Sequence, residues 1–126
     1  MSVVIYIYET DPEVSNYIRE SLEKSLNQYD INFLLEDTSF GCSIDIVLNK
    51  PDVIISSFDL KGLDGVDSYK FFKRADVPII YYTKTPNKVY DKFELEYGEI
   101  PEDVYCLDRK CSINHMIILS KKLIED

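Results

Sequence analysis

The chain has 126 residues, 45% of them apolar and 29% charged, and its net charge is −9. This length and apolar fraction predict a single domain over residues 1–126 with a core of its own, and they exclude a disordered chain. The acidic balance, without a basic cluster, argues against direct binding of nucleic acid. No apolar run approaches the length of a membrane span, so we expect no membrane partner.

The cysteine and histidine content bears on compartment and metal binding. Three cysteines without a CxxC pair indicate reduced thiols, and the N-terminus MSVVIYIYETD has no basic leader. We therefore expect a cytoplasmic protein. Cys106 lies in an apolar run and is predicted to be a small core residue. A single histidine and the absence of an HExxH pattern argue against a zinc site.

Two strand–helix units open the chain. Val3 to Tyr8 is apolar and rich in β-branched and aromatic residues, which predicts a strand buried on both faces. Asp11 is a good N-cap, and Pro12 a good first residue, for the helix that follows. That helix carries an apolar stripe of Val14, Tyr17, Ile18, Leu22 and Leu26. A second strand is predicted at Ile31 to Leu35, and a weaker helix at roughly Phe40 to Leu48.

The stretch from Pro51 to Gly65, PDVIISSFDLKGLDG, organises the middle of the chain. Its apolar run Val53 to Ile55 is bounded by turn residues, which is typical of a buried central strand. Asp64 is predicted to cap the helix that follows. The residues just after such a strand face a crevice in open parallel sheets, so we expect a site there.

The rest of the chain continues the alternation of helices and strands. The further helices are predicted over Val66 to Arg74, from Pro86 to a stop at Gly98, and from about Ile113 onward. The further strands are predicted over Val77 to Tyr82 and over Val104 to Leu107.

Five apolar strands that alternate with five helices predict an α/β fold with a parallel sheet covered by helices on both faces. The length and the apolar first strand favour the flavodoxin-like (βα)5 three-layer sandwich, with strand order 2-1-3-4-5. In that order the ends of strands one and three flank one crevice. Glu9 to Asp11 and Ser57 to Asp59 are therefore expected to face each other.

These residues resemble the receiver domain of bacterial and archaeal response regulators. PDVIISSFDLKGLDG is similar to the family's PDLILLDIMLPGMDG, with the same spacing to the glycines. ETDPEV resembles the DDDPEV turn after strand one, and VPIIYYT is similar to TPIIMLT. The resemblance covers the whole chain and implies a role in signal transduction of the two-component or phosphorelay type.

The family's site needs an aspartate that accepts a phosphoryl group, an acidic pair that holds Mg²⁺ with it, a hydroxyl at the end of strand four, and a lysine after strand five. The resemblance places Ser57 at the acceptor position and Glu9 and Thr10 at the acidic pair. Thr83 matches the strand-four hydroxyl. Its side chain is either a switch hydroxyl or a hydrogen-bond partner of the loop backbone.

The position of the strand-five lysine stays open. If Tyr105 is taken as the family's switch aromatic, Asp108 stands there; if the last helix is the anchor, Arg109 stands there, with Lys110 in the place of the usual proline. Tyr105 itself is either that rotating aromatic or a packing residue. The Arg109-Lys110 pair either neutralises the acidic crevice or belongs to a solvated turn.

A serine cannot form an acyl phosphate, so the sequence indicates a degenerate receiver, or pseudo-receiver, without aspartyl phosphotransfer and without catalysis. An alternative keeps a switch: Glu9, Asp11 and Asp59 form an acidic pocket that binds a divalent cation such as Mg²⁺ weakly, or a kinase phosphorylates Ser57. A flavin site on this fold is not favoured, because ETDPEVS lacks a hydroxyl- and glycine-rich phosphate loop. A phosphatase site is not favoured either, because ETD does not supply the DxD pair of a strand-one nucleophile.

The resemblance also implies a partner surface, formed by the helix after strand four, strand five and the last helix. This region holds the extra loop GEIPED and the apolar run Met116 to Leu119. We expect it to bind a protein, either a histidine kinase or an output protein, or a second copy of the chain. The alternative is that Ile118 and Leu119 merely flank the core.

Overall fold

A computed structural model of the protein describes residues 2–36, 48–60 and 64–125. Its strands are β1 (Ser2–Tyr8), β2 (Asp30–Glu36), β3 (Val53–Ser56), β4 (Ile79–Thr83) and β5 (Val104–Asp108). Its α-helices are α1 (Pro12–Ser25), α2 (Tyr69–Phe72), α3 (Pro86–Tyr97) and α4 (Ile113–Glu125), with a 3-10 turn at Lys73–Ala75. The helix predicted at Phe40 to Leu48 lies outside the described residues except at its end.

The five strands form one parallel sheet in the order β2-β1-β3-β4-β5. This confirms the predicted flavodoxin-like order. The register places Tyr8 beside Ser56, and Thr83 beside Asp108. The carboxyl ends of β1, β3, β4 and β5 therefore meet at one edge of the sheet, where the predicted site residues follow them.

Both faces of the sheet are buried, which explains why the strands show no alternation of apolar and polar residues. Ile5 and Ile7 of β1 pack in one cluster with α1 and α4. Tyr6 and Tyr8 of the same strand pack in the other cluster with α2 and α3. Their rings stack with centroids 4.8 Å apart, so large aromatic side chains fill much of that layer.

The ends of two helices follow from local chemistry. The Asp11 carboxylate accepts a hydrogen bond from the Glu13 amide at 2.9 Å, and Pro12 occupies the first helical position, as predicted. Helix α3 ends at Gly98, whose φ of 79° lies in the left-handed region that favours glycine.

Two predicted boundaries were wrong. In place of one helix from Val66 to Arg74, a turn precedes the four-residue α2, and a 3-10 turn ends at Asp76 with φ of 52°. Strand β4 begins at Ile79 and not at Val77, because Pro78 has no amide hydrogen to donate to a neighbouring strand. The carbonyl of Pro78 still accepts a bond from Ile54, at 3.0 Å.

Candidate functional site

A crevice of about 150 Å³ opens at the carboxyl edge of the sheet. Its lining consists of Glu9, Thr10, Ser57, Phe58, Asp59, Thr83, Lys84, Thr85 and Arg109. The sheet order brings these residues together from the ends of β1, β3, β4 and β5. The predicted juxtaposition holds for Glu9 and Thr10 with Ser57 to Asp59, whereas Asp11 is not among the lining residues.

Glu9 is the buried carboxylate of the crevice, with only 4% of its surface exposed. One carboxylate oxygen accepts a hydrogen bond from the Thr10 amide at 2.7 Å. The other oxygen forms an ion pair with the Arg109 guanidinium. Both oxygens of this carboxylate therefore have a partner within the chain.

Two cationic residues line the crevice, Lys84 and Arg109, and Arg109 is the one that pairs with Glu9, from the turn after β5. Its backbone amide donates to the Thr83 carbonyl at 2.9 Å, and its Nε donates to the Tyr82 carbonyl at 2.8 Å. Its guanidinium carbon lies 5.4 Å from the centre of the Tyr82 ring, within range of a cation–π contact. Burial raises the pKa of Tyr82, and the positive charge of Arg109 partly offsets that rise.

The structure brings Arg109 to the crevice and leaves the two residues beside it in the turn. The Asp108 carboxylate accepts a hydrogen bond from the Lys110 amide at 2.9 Å, and Lys110 is exposed. The geometry therefore favours Arg109 at the position that the sequence left open. The sequence could not choose, because the two anchors gave different residues.

Ser57 stands at the end of β3 with 5% of its surface exposed. Its hydroxyl donates to the Asp59 carbonyl at 3.1 Å, and the Thr10 hydroxyl donates to the same carbonyl at 3.4 Å. The Ser57 amide donates to the Tyr8 carbonyl at 2.9 Å, which continues the pairing of β3 with β1. Two neutral hydroxyls thus converge on one carbonyl oxygen at the bottom of the crevice.

The three acidic residues predicted for a metal pocket have different surroundings. Glu9 is buried and paired, whereas Asp11 and Asp59 are exposed, and Asp11 caps α1. Within residues 2–36, 48–60 and 64–125, no three His, Cys, Asp or Glu side chains lie together in a way that could hold a metal ion. The Mg²⁺ that the resemblance implies does not fit this ligand set, because Mg²⁺ needs free oxygen ligands in octahedral geometry.

Thr83 and Tyr105 lie on the adjacent strands β4 and β5, with Thr83 opposite Asp108 and Tyr105 opposite Ile80. The Thr83 hydroxyl accepts a hydrogen bond from the Thr85 amide at 3.1 Å, which is the loop-backbone alternative. Tyr105 lies beside Ile80, whose side chain belongs to the α1 and α4 side of the sheet. Side chains alternate along a strand, so the neighbouring Cys106 is the one on the Thr83 side. The assignment of Thr83 and Tyr105 as switch residues stays a prediction.

The loop after β3 is held by groups that the sequence shows only in part. The Asp64 carboxylate accepts hydrogen bonds from the amides of Val66 at 2.9 Å and Asp67 at 2.7 Å, which is the predicted cap. Lys92 of α3 forms ion pairs with Asp64 at 2.5 Å and Asp67 at 3.1 Å. The bond to Asp64 raises the pKa of the Lys92 ammonium. No local sequence pattern predicts these ion pairs, because they join residues far apart in sequence.

Gly65 lets this loop approach the end of β3. A Cβ atom at Gly65 would collide with the Ser57 carbonyl oxygen and touch the Tyr81 ring at 3.0 Å. The Tyr81 hydroxyl donates to the Gly65 carbonyl at 2.7 Å from a fully buried position. Burial raises the pKa of Tyr81 well above its usual range.

No protein-family model matches the chain, and no curated protein matches it. Solved structures do. The receiver domain of Erythrobacter litoralis PhyR is similar with a TM-score of 0.74 and 22% identity, covering 98% of this chain and 90% of its own. The BeF3-activated receiver domain of Klebsiella pneumoniae RstA has a TM-score of 0.75 and 22% identity, covering 98% and 99%.

A third similar structure is the receiver domain of a sensor histidine kinase from Pseudomonas aeruginosa, which has a magnesium ion in its active-site cleft. Its TM-score is 0.75 at 18% identity, and the match covers 100% of both chains. The chain therefore has the fold of a response regulator receiver domain. At these identities the likeness establishes the fold, and the site must be judged from the chain's own residues.

A search for membrane-spanning helices among the described residues found none of sufficient length and apolarity.

Proposed function

We propose that the chain is an atypical receiver domain in two-component-type signal transduction, which acts by binding a protein partner and needs no phosphorylation. The observation that carries this proposal is Ser57 at the acceptor position, buried and with its hydroxyl bonded to the Asp59 carbonyl. A serine hydroxyl offers no carboxylate for an acyl phosphate. The domain then has no catalysis of its own and works in the cytoplasm.

The electrostatics of the crevice support the same proposal. The one buried carboxylate, Glu9, is already neutralised by Arg109. Phosphoryl transfer to a protein needs divalent metal to neutralise the incoming charge, and a neutralised Glu9 is a poor ligand for that metal. The crevice is therefore suited to a fixed conformation rather than to a phosphoryl switch.

The partner surface that we propose consists of α3, β5 and α4. Strand β5 is an edge of the sheet, so its outer backbone groups are open to a partner. Tyr90 and Tyr105 are each 37% exposed, and Ile118 is 65% exposed. We propose a histidine kinase, an output protein or a second copy of the chain as the partner of this surface.

The proposal on phosphorylation is tested with acetyl phosphate and Mg²⁺, followed by intact mass and an amide NMR spectrum with beryllofluoride. We expect no mass gain of a phosphoryl group and no shifts that spread from Glu9 to Thr83. A variant with Ser57→Asp and Thr10→Asp, which restores two carboxylates, is the matched control. A phosphoryl adduct on the unaltered chain would overturn the proposal.

The alternative function keeps a switch, through a divalent metal or through phosphorylation of Ser57 by a Ser/Thr kinase. It requires the crevice to open, because the Ser57 hydroxyl is buried. Mass spectrometry of native material decides this point. Phosphate on Ser57 would favour the alternative, and its absence would count against it.

The proposed surface is tested by charge insertion. Ile118→Lys on α4 should abolish partner capture or dissociate a homodimer, as measured by pull-down and by light scattering. Leu35→Lys is the matched control, because Leu35 is 43% exposed on β2, the opposite edge of the sheet. Equal binding by both variants and the unaltered chain would place the partner surface elsewhere.

A further inference from the structure

The crevice carries a cation of its own where the resemblance implies a metal ion. Of the three positions that the resemblance assigns to metal-binding carboxylates, only Glu9 retains one. We propose that the Arg109 guanidinium is the resident cation of this crevice and that it excludes divalent metal ions by occupying Glu9. The inference deepens the proposed function, on which it rests, by naming the residue that keeps the site independent of metal.

Arg109 is held in place at several points, so its charge cannot leave Glu9 easily. Nε is bonded to the Tyr82 carbonyl, the guanidinium lies over the Tyr82 ring, and another nitrogen pairs with Glu9. The Arg109 side chain is 16% exposed and that of Glu9 is 4% exposed. A planar guanidinium with several fixed donors suits such a buried site better than a mobile ammonium.

A metal ion at Glu9 would have to displace this pair. An arginine side chain does not lose its proton in proteins, so its positive charge would remain beside the incoming cation and repel it. Displacement would also leave the guanidinium in a mostly buried position without its carboxylate, which is costly. The second oxygen of Glu9 offers no easier route, because it accepts the Thr10 amide.

A backbone oxygen at the crevice is also engaged. The Asp59 carbonyl accepts hydrogen bonds from the hydroxyls of Ser57 and Thr10, which stand at two of the former carboxylate positions. A cation at this carbonyl would need both hydroxyls to turn away. Arg109 and the two hydroxyls thus engage Glu9 and the Asp59 carbonyl, which leaves the exposed Asp59 carboxylate as the remaining acidic ligand of the crevice.

The test compares metal binding to the unaltered chain and to Arg109→Met. Mn²⁺ is added to the labelled protein, and broadening of the amide signals of Glu9, Thr10, Ser57 and Asp59 is recorded, with Mg²⁺ as competitor. Lys88→Met on the exposed surface of α3 is the control, because it removes the same charge away from the crevice. This control accounts for general attraction of cations to an acidic chain.

We expect crevice broadening in Arg109→Met alone, with affinity at least about tenfold above that of the other two proteins, or about 1.4 kcal/mol. Equal broadening of the crevice in the unaltered chain would overturn the inference. Broadening in Arg109→Met no stronger than in Lys88→Met would overturn it too. Neither result decides whether the chain accepts phosphate, so failure of the proposed function is detected separately by the acetyl phosphate test.

We expect removal of Arg109 to destabilise the fold, so a second readout is needed. If Arg109→Met is unfolded in buffer, it is refolded with the osmolyte trimethylamine N-oxide, and its unfolding midpoint is compared with and without Mn²⁺. A ligand that binds only the native state raises the midpoint, so Mn²⁺ should raise it in Arg109→Met and not in the unaltered chain. An unchanged midpoint in Arg109→Met would overturn the inference.

Discussion

Arg109 connects three strands through one side chain. It follows β5, bonds to a carbonyl of β4 at Tyr82, and pairs with Glu9 at the end of β1. A buried ion pair adds little to the free energy of unfolding compared with a well-packed apolar pair. Loss of one partner, however, leaves the other charge buried and unpaired. The contribution of this pair to stability is therefore measured by substituting one of its two residues.

Arg109→Met should lower the free energy of unfolding by about 3–5 kcal/mol, because Glu9 is left buried and unpaired. The double variant Glu9→Gln, Arg109→Met should recover most of that loss. Urea denaturation of both variants measures the difference. A loss below about 1 kcal/mol for Arg109→Met would mean that the pair behaves as a solvated surface contact.

The two described cysteines should differ in reactivity. Burial raises the pKa of the Cys106 thiol to about 11, so it carries little thiolate at pH 8, whereas Cys111 is exposed. In a Cys42→Ser background, iodoacetamide at pH 8 should modify Cys111 and spare Cys106 until the protein is unfolded. Peptide mapping measures both sites, and rapid modification of Cys106 in the folded protein would contradict its predicted place in the core.

At the scale of elements, two glycines at loop positions have different reasons to be there. Gly65→Ala should lower the free energy of unfolding by about 1–3 kcal/mol, because its Cβ would collide with the Ser57 carbonyl and distort the crevice. At Gly98 an added Cβ would meet open space, and the only penalty is the left-handed φ. Gly98→Ala should therefore lower the free energy of unfolding by about 1 kcal/mol. NMR shifts at Ser57 distinguish the two: we expect them only in Gly65→Ala.

Lys92 joins α3 to the loop after β3 through Asp64 and Asp67. Lys92→Met should cost about 1–3 kcal/mol of stability, because two carboxylates lose a charge-assisted bond. It should also speed amide hydrogen exchange in α3 relative to α1. Lys88→Met, on the same helix but exposed, serves as the control. Equal effects of the two substitutions would mean that the ion pairs of Lys92 do not hold the loop to α3.

At the scale of the whole molecule, buried tyrosines make stability depend on alkaline pH. Burial raises the pKa of Tyr81 and of Tyr69 above the usual 10.0, and Tyr81 is 0% exposed. An unfolded tyrosine releases its proton near pH 10, but the folded one keeps it. The folded state therefore has its full advantage below that pH and loses it as the pH rises toward the raised pKa.

We expect urea midpoints to decline modestly from about pH 8.5 to 10, because the unfolded Cys106 thiol ionises there while the folded one has a pKa of about 11, and to fall steeply above pH 10 as the tyrosines contribute. Tyr81→Phe should flatten that fall while lowering stability near neutral pH through loss of the bond to Gly65. Denaturation curves at a series of pH values, with Tyr105→Phe as the exposed control, measure the effect. The same slope in all three proteins would contradict the assignment to Tyr81.

The fold was predictable because its signals are local. Runs such as Val53 to Ile55, the cap at Asp11 and the stop at Gly98 depend on near neighbours in the chain, and the structure confirms each. The prediction failed over Val66 to Arg74, where Asp64 ties two amides into a turn and only a short helix follows. Helical periodicity does not report such competition between a side chain and the backbone.

The sequence alone determined the class of fold, the strand order and a serine in place of a carboxylate at position 57, because these depend on residue type and spacing. Only the tertiary structure decided that Arg109 and not Asp108 or Lys110 reaches the crevice. The physical reason is the register of β5 against β4. A shift of one residue along a strand turns every side chain to the other face, and strand register is set by packing between distant segments.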